Sequence, residues 1–512
     1  MDDSSPNADG VERLTAVNGD GGVGQRTGRG AVYVASGQTL LRLVGIVGGV
    51  CLARLLSPRD FGIYSVTAFM ILQLGALADL GLGAKLIHDV DPPSLSQKRS
   101  IFTFHCAAAV VIYGVFYWVA PLVSRLFLLG HDGVAFGRAL GLVILIYPFR
   151  PIPSALLNRG LQFGPLAVAE VTGGVLFQVA AVTLAFLGFS YWSFGAAFLL
   201  SAAVRTLVVN AYCPWRPGLA WDGAYLRRCL RFGGAFQLST LTSVVRDNLN
   251  SILGGPFFGP TAVGLLSWAY RLASYGSQTY VGICANVSFP SLSRLRSDPQ
   301  VFDAALTKML RYVNLATLLS LSVVVTLASE VVHLVFTDKW TPAIPLFYYF
   351  AVRMVACNYT TMFDLGLKAQ GHPERSLKIV SAWTAWEIGL AAVGALMFGY
   401  AGIAISSAVG AWLAAAWLYR ELSRHAPINF WHSTRTPALG AAVTLVILHW
   451  GKGQWISTLP RLGLAIIAGA LVYLGVCFLA EGSRFLNEIK ADLGELLGRK
   501  RVTLGVPARV AP

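Results

Sequence analysis

Apolar residues follow one another along this chain in long blocks, and polar residues are gathered into the short breaks between them. Blocks such as 32–56, 102–122 and 462–480 are each long enough, as α-helices, to cross roughly 30 Å of hydrocarbon. Continued along the chain, the pattern predicts about fourteen transmembrane helices. They fall near 32–56, 61–88, 101–127, 134–150, 166–187, 191–213, 231–255, 261–290, 309–336, 342–367, 376–399, 401–421, 435–450 and 461–480. The fold class is therefore an all-α polytopic membrane protein, and no large soluble domain fits between the spans.

Composition strengthens this reading: 55% of the 512 residues are hydrophobic and 13% charged, too little charged surface for a soluble protein of this length. The net charge of +15 follows the topology. Connections after even-numbered helices are basic, with Lys98 and Arg99, then Arg216, Arg227 and Arg228, then Arg420, Arg424 and Arg435. Those after odd-numbered helices are short and carry little beyond Arg54, Arg59, Lys339 and Lys452. Because Lys and Arg are retained inside during insertion, both termini are expected in the cytoplasm. The basic residues are dispersed and not interleaved with aromatics, so no nucleic-acid partner is expected.

The GGVGQRTGRG run at 21–30 lacks a preceding strand and a following GK[ST], which makes it a flexible tail and not a phosphate loop. Residues 1–30 are expected to be a disordered cytoplasmic tail, and 481–512 an amphipathic tail on the inner membrane surface. Seven scattered cysteines and eight histidines form neither CxxC nor HExxH spacing, so neither a metal nor a cofactor is expected. His88, His105 and His333 read as interfacial or packed residues.

An internal repeat divides the rest. LLSPRDFGIYS at 55–65 and FFGPTAVGLLS at 257–267 share a Pro, a Gly four residues on and a Ser three after that, each between an odd helix and the next even one. The match predicts two pseudo-symmetric six-helix lobes, 31–213 and 231–421, joined by a cytoplasmic linker at 214–230 and followed by two additional helices within 422–480. Six crossings separate the repeats, so the axis relating them runs along the membrane normal, and substrate is expected between the halves.

Against this frame the intramembrane charges stand out. Arg42 lies 16 residues before Pro58 and Arg246 14 before Pro260, which puts both about 21 to 24 Å below the turn. Arg271, 11 residues after Pro260, lies about 17 Å from it, and Arg353 sits within the tenth helix. A central arginine costs about 2.5 to 3.5 kcal/mol in lipid, so each must face an aqueous cavity or a buried acid such as Asp79 or Glu170. Arg246 and Asp247, about 100° apart on a helix, are expected to be poor partners for each other. A positive cavity attracts anions, and Arg42, Arg246, Arg271 and Arg353 are the candidate ligands of a diphosphate, held through bidentate hydrogen bonds. Asn248, Asn250, Trp268, Tyr270 and Gln278 offer hydrogen bonds and stacking surfaces to sugars. Asp79, Glu170, Asp247 and Asp364 are the candidate ion-coupling acids, with Glu387 a further one.

The stretches ARLLSPRDFGIYS, ADLGLGAKLIHD, PSALLNRGLQFGPLAVAEV, VVRDNLNSILGG and FPSLSRLRSD, in this order, resemble bacterial polysaccharide flippases, the oligosaccharide-lipid transporters of the multidrug/oligosaccharidyl-lipid/polysaccharide exporter superfamily. The resemblance runs from about Ala31 to Trp450. It implies twelve core helices in two lobes, the thirteenth and fourteenth being extra, in the bacterial inner membrane. It further implies movement of undecaprenyl-diphosphate-linked glycans by alternating access, for exopolysaccharide, capsule or O-antigen synthesis. The expected partners are the lipid-linked glycan, membrane lipids, a coupling proton or sodium ion, and glycan polymerase and assembly proteins. The Asp247-Asn248 pair matches the family's pattern at the seventh helix.

Three rivals share parts of this description. A multidrug antiporter has the same fold, but a cationic drug prefers an acid-rich cavity. A membrane polysaccharide polymerase needs a sizeable external loop, and every external loop here is short. A glycosyltransferase needs acids near the first external loop, where Asp60 of SPRD reads as a turn and helix cap. The expectation is a transporter and not an enzyme.

Overall fold

A computed structural model describes residues 20–88, 93–275, 298–426, 428–452 and 456–482, with Leu292 and Leu295. Among these residues the elements are all helical. Among the described residues eleven helices are long and apolar enough to cross a membrane, against the fourteen expected. Helices Gly223–Asp247, Ile344–Ala369 and Phe430–Lys452 are of comparable length. Large apolar side chains such as Trp118, Phe186 and Leu396 are turned outward, the arrangement a hydrocarbon solvent requires. The chain is a multi-pass membrane protein.

The chain divides into two compact units, Met1–Gly264 and Leu265–Pro512. The first contains α1 (Asp20–Leu55), α2 (Pro58–Asp79), the short α3 (Leu82–His88), α4 (Leu95–Leu126), α5 (Asp132–Ile146), α6 (Pro151–Arg159), α7 (Phe163–Phe186), α8 (Trp192–Tyr212) and α9 (Gly223–Asp247). It also holds the first part of α10 (Leu249–Tyr275). Helix α7 packs between α1 and α8, and α5 packs on α2, α4 and α8. A core of Ile63, Val66, Phe116, Phe136 and Leu140 joins α2, α4 and α5.

In the second unit, α11 (Pro299–Thr326) packs on α12 (Ile344–Ala369) and α15 (Phe430–Lys452). Helix α14 (Tyr400–Leu422) packs on α12 and α13 (Pro373–Phe398), and α16 (Leu459–Glu481) closes against α15.

Local signals set several boundaries. Ser57 and Asp60 form a reciprocal capping box at the start of α2, where Pro58 occupies the first turn without needing an N–H partner. That assigns Asp60 the capping role expected of it. Asp222 caps α9 by accepting from the Tyr225 N–H, so the helix starts inside the expected 214–230 linker and carries Arg227 and Arg228 within it. At the other end the backbone is already helical from Asp20, which places GGVGQRTGRG in α1 and not in a flexible tail. That run contains no proline, and extending an existing helix adds one hydrogen bond per residue ordered. Residues 1–19 and the expected amphipathic tail beyond Gly482 lie outside the described residues.

The repeated Pro-x-x-x-Gly turns meet each other. A Cβ on Gly62 would overlap the carbonyl of Pro260, and a Cβ on Gly264 would overlap the carbonyl of Pro58. Each repeat thus supplies a glycine to the backbone of the other, a reciprocal contact that no other residue type permits. Gly259, with φ 77°, makes the turn that brings Pro260 there.

Candidate functional site

The N-terminal unit has an open cavity of about 350 Å³ lined by residues of α2, α5, α7, α8 and the 3-10 turn Tyr147–Phe149. Three charged groups gather at it. Arg150, at the cap between that turn and α6, donates from Nη2 to Glu170 Oε1. Arg205 of α8 places Nη1 3.0 Å from the other oxygen, Glu170 Oε2. One carboxylate on α7 therefore serves two guanidiniums, and the cluster keeps one net positive charge. Arg150 and Arg205 line the cavity, with side-chain exposures of 35% and 29%. Arg205 Nε is buried without a hydrogen-bond partner among the described residues.

Gly173 explains how α8 carries so long a side chain at this level. A Cβ there would collide with the Arg205 stem, so the bare backbone of α7 forms the channel along which Arg205 reaches Glu170 one turn below. Ser201 donates to the Gly173 carbonyl at 2.8 Å and holds the two helices at that close spacing. Tyr64, Phe177 and Phe198 supply apolar walls; Tyr64 lies tilted to Phe177 at 6.3 Å between centroids and stacks on Phe194 at 4.6 Å.

The residues singled out from the sequence are distributed differently. Arg42 is half-buried on α1 and Arg271 is exposed on α10, and neither has an ion pair among the described residues. Arg246 sets Nε 3.1 Å from Asp247 Oδ1, the pairing expected to be poor. Both residues lie in the last turn of α9, which ends at Asp247, where Asn248 leaves helical geometry at φ −114°, ψ 19°. Asn248 turns its amide back onto the Val244 carbonyl, and Asn250 is half-buried.

Arg353 is 4% exposed, lies 3.4 Å from Glu387 and sits 5.5 Å from the centre of the Tyr270 ring. It is turned into the packed interior of the C-terminal unit, and Tyr270 is occupied by it and by Phe350. Trp268 is 6% exposed, stacked on Trp340 at 4.8 Å with Phe336 edge-on, a core residue with no face left for a sugar. Gln278 lies outside the described residues. Of the acids, Asp364 is engaged by Lys368 at 2.6 Å and by Ser376, and Asp79 faces His105 at 3.4 Å.

Two groups have neighbours that the sequence does not show. Arg150 stands between Pro148 of the 3-10 turn and Pro151 at the start of α6, and its ion pair with Glu170 of α7 is not apparent from the YPFRP stretch. His105 reads as a packing residue, and nothing in its neighbours along the chain announces an acid from α2.

A family model described as polysaccharide biosynthesis protein matches residues 51–345. The lipopolysaccharide biosynthesis protein WzxC of Escherichia coli is 23% identical over 63% of this chain and 65% of its own length, so the chain spans just under two thirds of that relative. The teichuronic acid biosynthesis protein TuaB of Bacillus subtilis is 24% identical over 77% of this chain and 83% of its own. Among solved structures, the lipid II flippase MurJ in an inward closed conformation superimposes with a TM-score of 0.71 at 15% identity, over 89% of this chain and 100% of that one. An inward-facing multidrug resistance transporter of the MATE family gives 0.58 at 18% identity, over 76% and 95%. The two structures share this chain's fold.

Proposed function

The chain belongs to the polysaccharide biosynthesis protein family, and we propose that it is a flippase moving undecaprenyl-diphosphate-linked oligosaccharide or polysaccharide repeat units across the bacterial inner membrane by alternating access. In this reading it is a transporter and not an enzyme, works with both termini in the cytoplasm, and acts beside a glycan polymerase and assembly proteins. The observation that carries the reading is the cationic surplus at the N-terminal cavity, where Arg150 and Arg205 share one carboxylate. Guanidinium forks bind phosphate oxygens through charge-assisted bonds, and the low dielectric of a membrane protein's interior strengthens each of them. The same surplus disfavours a cationic drug as cargo.

The diphosphate engages Arg150 and Arg205, which exchange part of their hold on Glu170 for the ligand. Arg42 and Arg271, which have no counter-ion among the described residues, and Arg246, whose partner Asp247 is half exposed, contact the anionic head during its passage. Arg353 serves packing. Asn248 and Asn250 offer amides to the sugars, and the prenyl chain stays in lipid.

The test is reconstitution of the full chain in vesicles carrying a fluorescent undecaprenyl-diphosphate-linked oligosaccharide, with translocation read by accessibility to an impermeant quencher. R150Q/R205Q is expected to abolish most of the signal, and R42A, R246A and R271A to reduce it at matched folded protein. Full translocation in all of these variants removes the anion site. Absence of translocation by the wild-type chain removes the flippase reading.

A further inference from the structure

Arg138 of α5 belongs neither to the cavity nor to the packed interior. It shares a helix face with Ala135 and Leu142, three residues before and four after it, and both of those are exposed. Nearby on α4, Val111, Val115, Trp118 and Leu122 are all turned outward. At 1.5 Å per residue Arg138 stands about 9 Å along α5 from Asp132, so a permanent cation faces the lipid side of the bundle inside a membrane-spanning helix. An arginine there is costly until something balances its charge.

Helix α4 holds this side chain in place without neutralising it. A Cβ on Gly141 would meet the Tyr113 ring at 2.8 Å, so the bare backbone of α5 lets α4 come close, and the Tyr113 hydroxyl donates to the Arg138 carbonyl at 3.2 Å. Pro121 lies inside α4 and has no N–H, which leaves the carbonyl of Tyr117, four residues earlier, without its helical donor. Arg138 supplies one. Its Nε donates to that oxygen at 3.1 Å, and the guanidinium lies over the Tyr117 ring with Cζ 4.0 Å from the centre. Neither contact brings a negative charge. Arg138 has no ion pair among the described residues, and its Nη1 and Nη2 have no protein acceptor among them.

We propose that Arg138 and Tyr117 form a binding site for the phosphate of an anionic phospholipid, seated where α4 and α5 meet on the lipid side. The proline-freed carbonyl fixes the guanidinium through Nε, and the edge carrying Nη1 and Nη2 is left to take two phosphate oxygens in a charge-assisted pair. The outward apolar side chains of α4 lie alongside for the acyl chains. The occupant is a lipid of the bilayer itself, because the site opens to the outside of the bundle. It is an anionic one, because the surplus to be balanced is a single positive charge and a zwitterionic headgroup brings an ammonium of its own.

Trp118, 80% exposed and next to Tyr117 in the chain, is a local reporter. The full chain is reconstituted in phosphatidylcholine vesicles with rising fractions of brominated phosphatidylglycerol or brominated phosphatidylcholine. Emission from Trp118 is taken as the difference between each protein and its W118F counterpart, which cancels the other tryptophans. Half-quenching is expected at about a fivefold lower fraction of the anionic lipid than of the zwitterionic one. R138Q should bring the two curves together, and Y117L, which keeps the charge and removes the ring that aims it, should narrow the gap. Equal quenching by both lipids in wild type, or an undiminished gap in R138Q, overturns the site. Should R138Q fail to fold, an undiminished gap in Y117L overturns it instead. Undecaprenyl diphosphate added as competitor separates the two sources of phosphate. Relief of quenching at about a tenth of the amount that unlabelled phosphatidylglycerol needs would assign the site to a lipid-linked cargo and overturn the bilayer lipid, whereas comparable amounts support it. The measurement involves neither glycan nor transport, so its failure leaves the flippase reading intact.

Discussion

Arg353 with Glu387 in the C-terminal unit and Arg150 with Glu170 and Arg205 in the N-terminal unit are built from the same residue types. They do opposite work. The first pair is sealed, with 5% and 1% side-chain exposure and one charge of each sign. The second is open to a cavity and holds two cations for one anion. A charge inside a membrane helix thus signals only that it must be satisfied. Stoichiometry and access decide whether the satisfaction is internal or left for a ligand.

The largest expected effect comes from breaking the sealed pair on one side. R353A or E387A leaves an uncompensated buried charge and should cost about 3 to 5 kcal/mol, read as a large fall in melting temperature in detergent. The double variant R353M/E387L should recover most of it; a double variant as unstable as the singles would mean that the pair does more than balance charge. In the open cluster the same chemistry predicts a loss of transport and not of stability. R150Q/R205Q should lower translocation about ten- to hundredfold, since hydrogen bonds to charged groups are worth about 1.5 to 3 kcal/mol, with melting temperature little changed at such exposure.

G173A sharpens the comparison because it keeps every charge in place. The added methyl pushes the Arg205 stem out of its channel at a cost of about 1 to 3 kcal/mol, and translocation should fall toward the level of R205Q. Unaltered transport in G173A would show that the position of Arg205 is immaterial. The smallest effect is that of salt. Binding of inorganic pyrophosphate to the wild-type chain, followed by calorimetry, should weaken severalfold as the screening length falls from about 30 Å to about 8 Å. The stability contributed by Arg353 and Glu387, screened by protein on all sides, should not follow ionic strength.

Much of the architecture was legible in the chain. Apolar blocks announced spans because a membrane solvent tolerates little else, and Ser57, Pro58 and Asp60 announced the start of α2 through local capping. The Pro-x-x-x-Gly repeat was visible as well, although its meaning was not. That Gly62 seats on Pro260 and Gly264 on Pro58 requires two segments some 200 residues apart to meet, and spacing along one helix carries no such information. The site was less legible. Arg353 and Trp268 looked available because their depth was right, and burial among Glu387, Trp340 and Phe336 is a property of neighbours from other helices.

By itself the sequence determined that the chain is an all-α, multi-pass membrane protein, that a helix is capped at Asp60, and that several charges lie within apolar segments where each must find a partner. Those are consequences of local hydropathy and hydrogen bonding, which act between residues close in the chain. Only the tertiary structure decided which partner each charge found: Glu170 for two arginines, Glu387 for one, a histidine for Asp79. The physical reason is that a charge in a low-dielectric interior is stabilised by whatever lies within a few ångströms, and packing of distant helices sets that distance.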